Sequence, residues 1–226
     1  PDNGGTIIVD SVGTRWKRQA GEIDIKHFGA LGNDRADDTA ALNRALDWAE
    51  TSGQILHFSD GIYRITTPIV RNQASWWQGG LVVEKRKGGA DIQRGSWLHI
   101  DHNGTGIRFD GSDGYFTGVK ISGMGIIRNQ PEPAGASWQP TANGYDFWLE
   151  ATVSAEFADM LHFRSNKGYY CGGNKAKNTG VGRMNFYRIR GQFFEKGIVI
   201  DHAYDTCRID QLHAWTFWRD SELVHQ

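Results

Sequence analysis

The sequence predicts an all-β solenoid, a parallel β-helix entered through one amphipathic helix, and three observations carry that expectation. From about Leu81 onward, short apolar bursts recur between Gly, Asn, Asp and Lys: Trp97–Ile100, Gly106–Phe109, Val119–Ile121, Gly125–Ile127, Met160–Phe163, Met184–Ile189, Gly197–Ile200 and Cys207–Leu212. Strands this short cannot close their own backbone hydrogen bonds and need neighbours stacked on both sides. Lys167-Gly-Tyr-Tyr170 aligns with Lys196-Gly-Ile-Val199 at an offset of 29, and Gln192-Phe-Phe194 with His213-Ala-Trp215 at 21, spacings that bracket one solenoid coil. Only one segment has clear helical periodicity.

The elements follow in order. Gly5–Asp10 is a short β run and Arg15–Arg18 follows a Ser-Val-Gly-Thr turn, which suggests a hairpin. Glu22–Phe28 alternates polar and apolar with period two and reads as a half-buried strand ended by Gly29-Ala-Leu-Gly32. Ala41, Leu42, Ala45, Leu46 and Ala49 recur at helical spacing before Gly53 stops the helix, with Asp37 and Asp38 where an N-cap and first-turn acids belong. Capping accounts for Asp34, Asp37 and Asp38 better than a calcium loop, which needs alternating ligands and a distal Glu. Gln54–Phe58 and Ile62–Ile65 read as a strand, turn, strand pair around Ser59-Asp-Gly61. Lying ahead of the coils, the helix is placed to cover the open sheet edges that a solenoid end presents.

Composition narrows the function classes. The 226 residues include 29 Gly, 9 Trp and only 5 Pro, as many tight turns and a surplus of large rings require. A net charge of −1 supplies no global field to recruit nucleic acid or an anionic membrane. No apolar run reaches the ~18 residues that read as a membrane span, so membrane insertion is not expected. Cys171 and Cys207 form no close pair and read as small buried hydrophobes. Neither a metal nor a cofactor is expected.

Ile23-Asp-Ile-Lys-His-Phe-Gly-Ala-Leu-Gly-Asn-Asp-Arg-Ala-Asp-Asp-Thr-Ala-Ala-Leu-Asn-Arg-Ala-Leu46, followed by Gly53-Gln-Ile-Leu-His-Phe-Ser-Asp-Gly-Ile-Tyr-Arg-Ile65, resembles the opening of pectate-lyase-like β-helix proteins. Asn33-Asp34 stands where Asp-Gly is usual and Ser59 where Pro is usual. Upstream, Asp2–Asp10 with Arg15-Trp-Lys-Arg18 resembles the short element that precedes this motif in phage tailspikes and tail fibres. The resemblance implies a right-handed parallel β-helix, a parallel homotrimer, a virion-tail location beside other phage tail proteins, and binding of bacterial surface polysaccharide (capsule or O-antigen), often with its cleavage. It divides the chain into a β element at 1–21, the helix-bearing entry at 22–66 and coils at 67–226. The coils read as the front part of a longer subunit, with the catalytic pair expected beyond Gln226.

Glycoside hydrolysis needs two carboxylates on one face. The candidates are Asp201, Asp205 and Asp210, which lie within one coil near His213 and Trp215, and Glu150 with Asp146 in Tyr145-Asp-Phe-Trp-Leu-Glu150. The alternative for these acids is ordinary turn and strand duty. Lyase chemistry would instead draw on Lys196, Arg188, Arg190 and Arg208 to neutralise a uronate. Flat rings stack on pyranoses, and Trp138, Tyr145, Trp148, Trp215 and Trp218 are the candidate sugar platform; the alternative is packing between subunits. Besides hydrolysis, a lyase, a non-catalytic polysaccharide-binding module and a structural tail connector remain open.

Overall fold

The computed structural model describes residues 2–18, 21–80, 82–86, 90–112, 114, 116–132, 137–173, 177–215, 217–219 and 222–223. Ile7–Val9 and Arg15–Lys17 pair antiparallel as a small hairpin, as their turn sequence predicts. After it, the chain winds into a parallel β-helix whose coils stack their strands in three ladders.

The first ladder stacks Leu56–His57, Ser75–Gln78, Phe116–Ser122, Thr152–Ala158 and the start of Gly182–Ile200. The second stacks Gly61–Ile65, Ser96–Ile100, Met124–Arg128, the start of Leu161–Gly172, the middle of Gly182–Ile200 and the end of Arg208–Trp215. The third stacks Ile69–Arg71, Ile107–Asp110, Tyr145–Glu150 and the ends of Leu161–Gly172 and Gly182–Ile200. Strands of the first and third ladders such as Ser75–Gln78 and Ile107–Asp110 bury alternate residues, whereas Ser96–Ile100 in the second is buried throughout. In Ile107-Arg-Phe-Asp110, Ile107 and Phe109 are buried while Arg108 and Asp110 are half-buried.

Like residues stack along the interior. Phe147 lies on Tyr169 at 5.4 Å and Phe157 on Phe186 at 5.6 Å, both nearly parallel, and each buried Phe contributes about 1.5–3 kcal/mol by transfer from water. In the later coils the corner between the first and second ladders is turned by one residue in the left-handed conformation, Gly123, Asp159, Arg188 and Gln211, with φ of 69°, 55°, 52° and 60°, and Gly95, just before Ser96, has φ of 99°. At Gly123 a side chain would also meet Gly79 O at 2.8 Å, so that level requires glycine. The corner between the second and third ladders is stitched by buried polar groups. Arg128 Nε donates to Asp146 Oδ1 at 2.8 Å, and Asp146 Oδ2 accepts from Ser165 and lies 2.7 Å from His162 Nδ1. Asp146, read from the sequence as a candidate acid, is fully buried and belongs to this stitch.

Several local expectations are corrected. Residues 22–28 hold a 3-10 turn, Ile25–Phe28, because the Asp24 carboxylate accepts from Lys26 N and caps it; only Asp24 makes a strand-like bridge, to His57. Leu56–His57 and Gly61–Ile65 are not a hairpin: Leu56 pairs with Trp77 and Ile62 with Trp97, each one coil away. The helix α1, Thr39–Ser52, ends at Gly53 as predicted. Asp38 at its N-cap position makes no capping bond, and its carboxylate accepts from Leu31 N and Gly32 N instead. Asp37 accepts from Thr39 N and Thr66 Oγ1, while Asp34 lies 2.5 Å from His99 Nδ1. Capping thus explains one of the three acids. The apolar face of α1 joins the core of the first coils, and Arg71 pins it through Glu50 and Asp47. The repeat at 29 matches the Lys167–Lys196 register, but Gln192 pairs with Trp215, an offset of 23 (215 − 192) where the sequence alignment gave 21.

Candidate functional site

The outer face of the third ladder gathers the candidate site. Arg108, Trp148, Tyr170 and Val199 are successive register partners there. Beside them runs a second file, Asp110, Glu150 and Gly172, which Asp201 continues because it follows Ile200, the partner of Cys171.

The rings form a cluster. Trp148 and Tyr170 have centroids 4.2 Å apart, Tyr145 packs on Tyr170 at 5.4 Å and edge-on to Trp148 at 5.7 Å, and Lys167 Nζ lies 5.8 Å from the Tyr145 ring. The carboxylates border it. Arg108 donates to Glu150 at 2.6 Å and lies 3.3 Å from Asp110. Tyr170 OH donates to Asp201 at 3.4 Å. Burial, then the Asp201 charge, raise the Tyr170 phenol above its ordinary value. Burial alone would raise Asp110, but hydrogen bonds from Ser112 and the Arg108 charge hold its carboxyl below the usual range.

Two buried donors on this face, Trp148 Nε1 and Arg108 Nε, meet no acceptor in the described structure. A buried donor left unpaired costs about 1–3 kcal/mol, and here two stand side by side on neighbouring coils.

The other sequence candidates are dispersed. Asp205 is exposed and ion-paired with Arg183 at 2.9 Å; Asp210 is an exposed strand residue opposite Tyr187 in the first ladder. A run that spans most of one coil is carried across several faces, so Asp201, Asp205 and Asp210 do not converge. Trp138 packs edge-on against Phe194 and its indole N–H donates to Pro131 O. Trp215 contacts Phe163 and His213 on the second ladder. The Trp218 side chain lies outside the described residues. Of the basic candidates, Arg188 and Arg190 sit at the first corner and on the second ladder, Arg208 opposite Asn185 on the first, and Lys196 on the third. Arg108, Asp110 and Tyr170 were not singled out by sequence; the alternation in Ile107–Asp110 turns Arg108 outward, but only coil register brings it to Trp148.

Residues 23–79 match the family model for rhamnogalacturonase A/epimerase, pectate lyase-like proteins. That match covers the entry of the β-helix, about a quarter of the chain. No curated protein matches it. Among solved structures, the chain is similar to Geobacillus virus E2 ORF18 (16% identity, 91% of this chain and 48% of that one, TM-score 0.45). It is also similar to the Agl-KA catalytic domain (17%, 92% and 36%, TM-score 0.42). A third is WceF of Pantoea stewartii, titled a glycan biofilm modifying enzyme with a bacteriophage tailspike-like parallel β-helix fold (11%, 100% and 42%, TM-score 0.35). The chain spans less than half the length of each of these structures.

Proposed function

We propose that the chain belongs to a phage tailspike subunit, a homotrimer that binds bacterial capsule or O-antigen through the outer face of the third ladder and cuts it by glycoside hydrolysis. One observation carries the reading: the Trp148–Tyr170 ring pair is flanked by Glu150 and Asp201, two carboxylates separated by Gly172 in a single file. Flat rings take the apolar face of a pyranose, and carboxylates take its hydroxyls or act on its glycosidic bond.

The file also supports a stereochemical outcome. Neighbouring strands lie about 4.8 Å apart, so parallel side chains at Glu150 and Asp201, two steps apart, would carry their carboxyls roughly 9.5 Å apart, at the upper edge of the roughly 6.5–9.5 Å of an inverting pair. The Tyr170 ring covers Gly172, so its phenol lies in the file between the two carboxylates. In this reading one carboxyl protonates the leaving oxygen while the other activates a water on the opposite face of the sugar.

A second reading, a non-catalytic binding module, draws on the Arg108 contact: Glu150 is already engaged by a guanidinium, as in a binding surface. Incubating the protein with purified capsule or O-antigen separates the readings. New reducing ends without ultraviolet absorbance from an unsaturated product support hydrolysis, and added absorbance means a lyase. Binding without either product leaves the module, and no binding to any surface polysaccharide overturns the proposal.

A further inference from the structure

A cleft of about 440 Å³ lies away from the third ladder, along the corner where the first ladder turns into the second. One wall is formed by Gly80 and Val82, between the first-ladder strand that ends at Gln78 and the second-ladder strand that begins at Ser96. It is tied down by Gly80 N donating to Ser96 Oγ and by Val82, which packs into a cluster with Trp97, Leu161 and Phe163. The other wall is the corner itself. Asp159, Arg188 and Gln211 occupy the left-handed corner position in three successive coils, and Arg190 and His213 are register partners on the outer face of the second ladder. Five polar side chains from three coils thus line a cleft with an apolar patch at Val82. Its volume falls in the range of small-ligand sites.

The charges in the cleft are not equivalent. Arg188 is spent on Asp159, to which it donates twice, at 2.6 and 2.8 Å, and Asp210 and Glu156 also act on it. Arg188 and then Arg190 together hold the Asp159 carboxyl below its ordinary value. Arg190 is exposed, lines the cleft, and makes no side-chain ion pair among the described residues. A planar guanidinium presents its donors as a fork that matches a carboxylate, and Gln211 and His213 beside it offer donors and acceptors for hydroxyls.

We infer that this corner cleft is a second saccharide subsite, selective for a sugar that carries a carboxylate, with Arg190 on the carboxylate and Gln211 and His213 on ring hydroxyls. The inference rests on the reading of the chain as polysaccharide-binding, and it adds a site on a different face with a different selectivity. The corner repeats along the solenoid axis, so Asp159 to Gln211 spans two strand steps, roughly 10 Å, and the cleft runs lengthwise as a polymer does.

Equilibrium dialysis of the intact chain with labelled D-glucuronate, D-glucose and inorganic phosphate tests it. Glucuronate is expected to bind one site per chain at least tenfold more tightly than glucose. R190Q is expected to lose that preference, and W148A, on the other face, to keep it. Equal binding of glucose and glucuronate, unchanged glucuronate binding by R190Q, or displacement by equimolar phosphate would each overturn the subsite. Failure of the third-ladder reading looks different: W148A would leave binding to intact polysaccharide unchanged while glucuronate still bound at Arg190.

Discussion

Trp148 and Tyr170 are register partners one coil apart whose rings meet at a centroid distance of 4.2 Å, tilted by 35°, on the outside of the solenoid. Rings placed inside, such as Phe147 and Tyr169, repay their burial through the core. The outer pair is only half-buried and leaves the Trp148 N–H without an acceptor among the described residues. Trp148→Ala is therefore expected to weaken polysaccharide binding about tenfold, equivalent to ~1.4 kcal/mol, with a small change in melting temperature. Affinity electrophoresis through a polysaccharide-containing gel reads the first quantity and thermal denaturation the second; a large loss of stability with intact binding would reverse the assignment.

Glu150→Gln and Asp201→Asn are each expected to lower the rate of polysaccharide cleavage by about 10²-fold or more, the usual contribution of a positioned acid or base. Asp205→Asn and Asp210→Asn, on other faces, are expected to leave it unchanged. Reducing-end release at saturating substrate distinguishes the two pairs of variants.

Asp146→Asn is expected to destabilise the fold by about 3–5 kcal/mol, because it strands the Arg128 guanidinium in the interior without its counter-charge. Both side chains have 0% exposure. Urea denaturation should show a lower midpoint with an unchanged slope.

Stability is expected to fall on acidification. Burial would raise Asp101, but the Arg64 guanidinium holds its carboxyl below the ordinary value of 3.8; Asp159 is lowered first by its hydrogen bonds from Arg188. A carboxyl whose folded value is depressed binds fewer protons folded than unfolded. Its stabilisation is fully present above the unfolded value and is lost as pH falls through the lower folded one. Urea midpoints should therefore hold above the ordinary value of 3.8 and decline as pH falls below it, and Arg64→Gln should flatten the decline.

Gly125→Ala is expected to cost about 1–3 kcal/mol by overpacking, since a Cβ there would lie 2.2 Å from the Trp97 indole. Calorimetry of the variant measures the loss; Gly53→Ala is no substitute, because it tests a left-handed helix end with open space around it.

The periodic parts of the molecule were legible in the sequence. The hairpin, the apolar stripe of α1 and the Lys167–Lys196 repeat are each set by local pattern, and the pattern survives folding. Register was legible only where no insertion intervenes. Ile69 and Ile107 are partners 38 residues apart, while Phe147 and Tyr169 are partners only 22 apart, because the turns between ladders take up segments of any length. The same limit governed the site. Tyr145, Trp148 and Glu150 share one strand and could be read together, whereas Arg108, Tyr170 and Asp201 come from three other coils. Asp24 and Asp38 misled for another reason: a short carboxylate takes whichever backbone N–H groups are nearest, and tertiary approach decided which those were.

The corner between the first and second ladders is turned by a single backbone torsion repeated level after level, and it sets no demand on the other two corners. The spacing between coils is thereby freed from the length of the turns between the other ladders: Ile69 and Ile107 stay in register across 38 residues while the left-handed file from Gly95 to Gln211 keeps the coils in step.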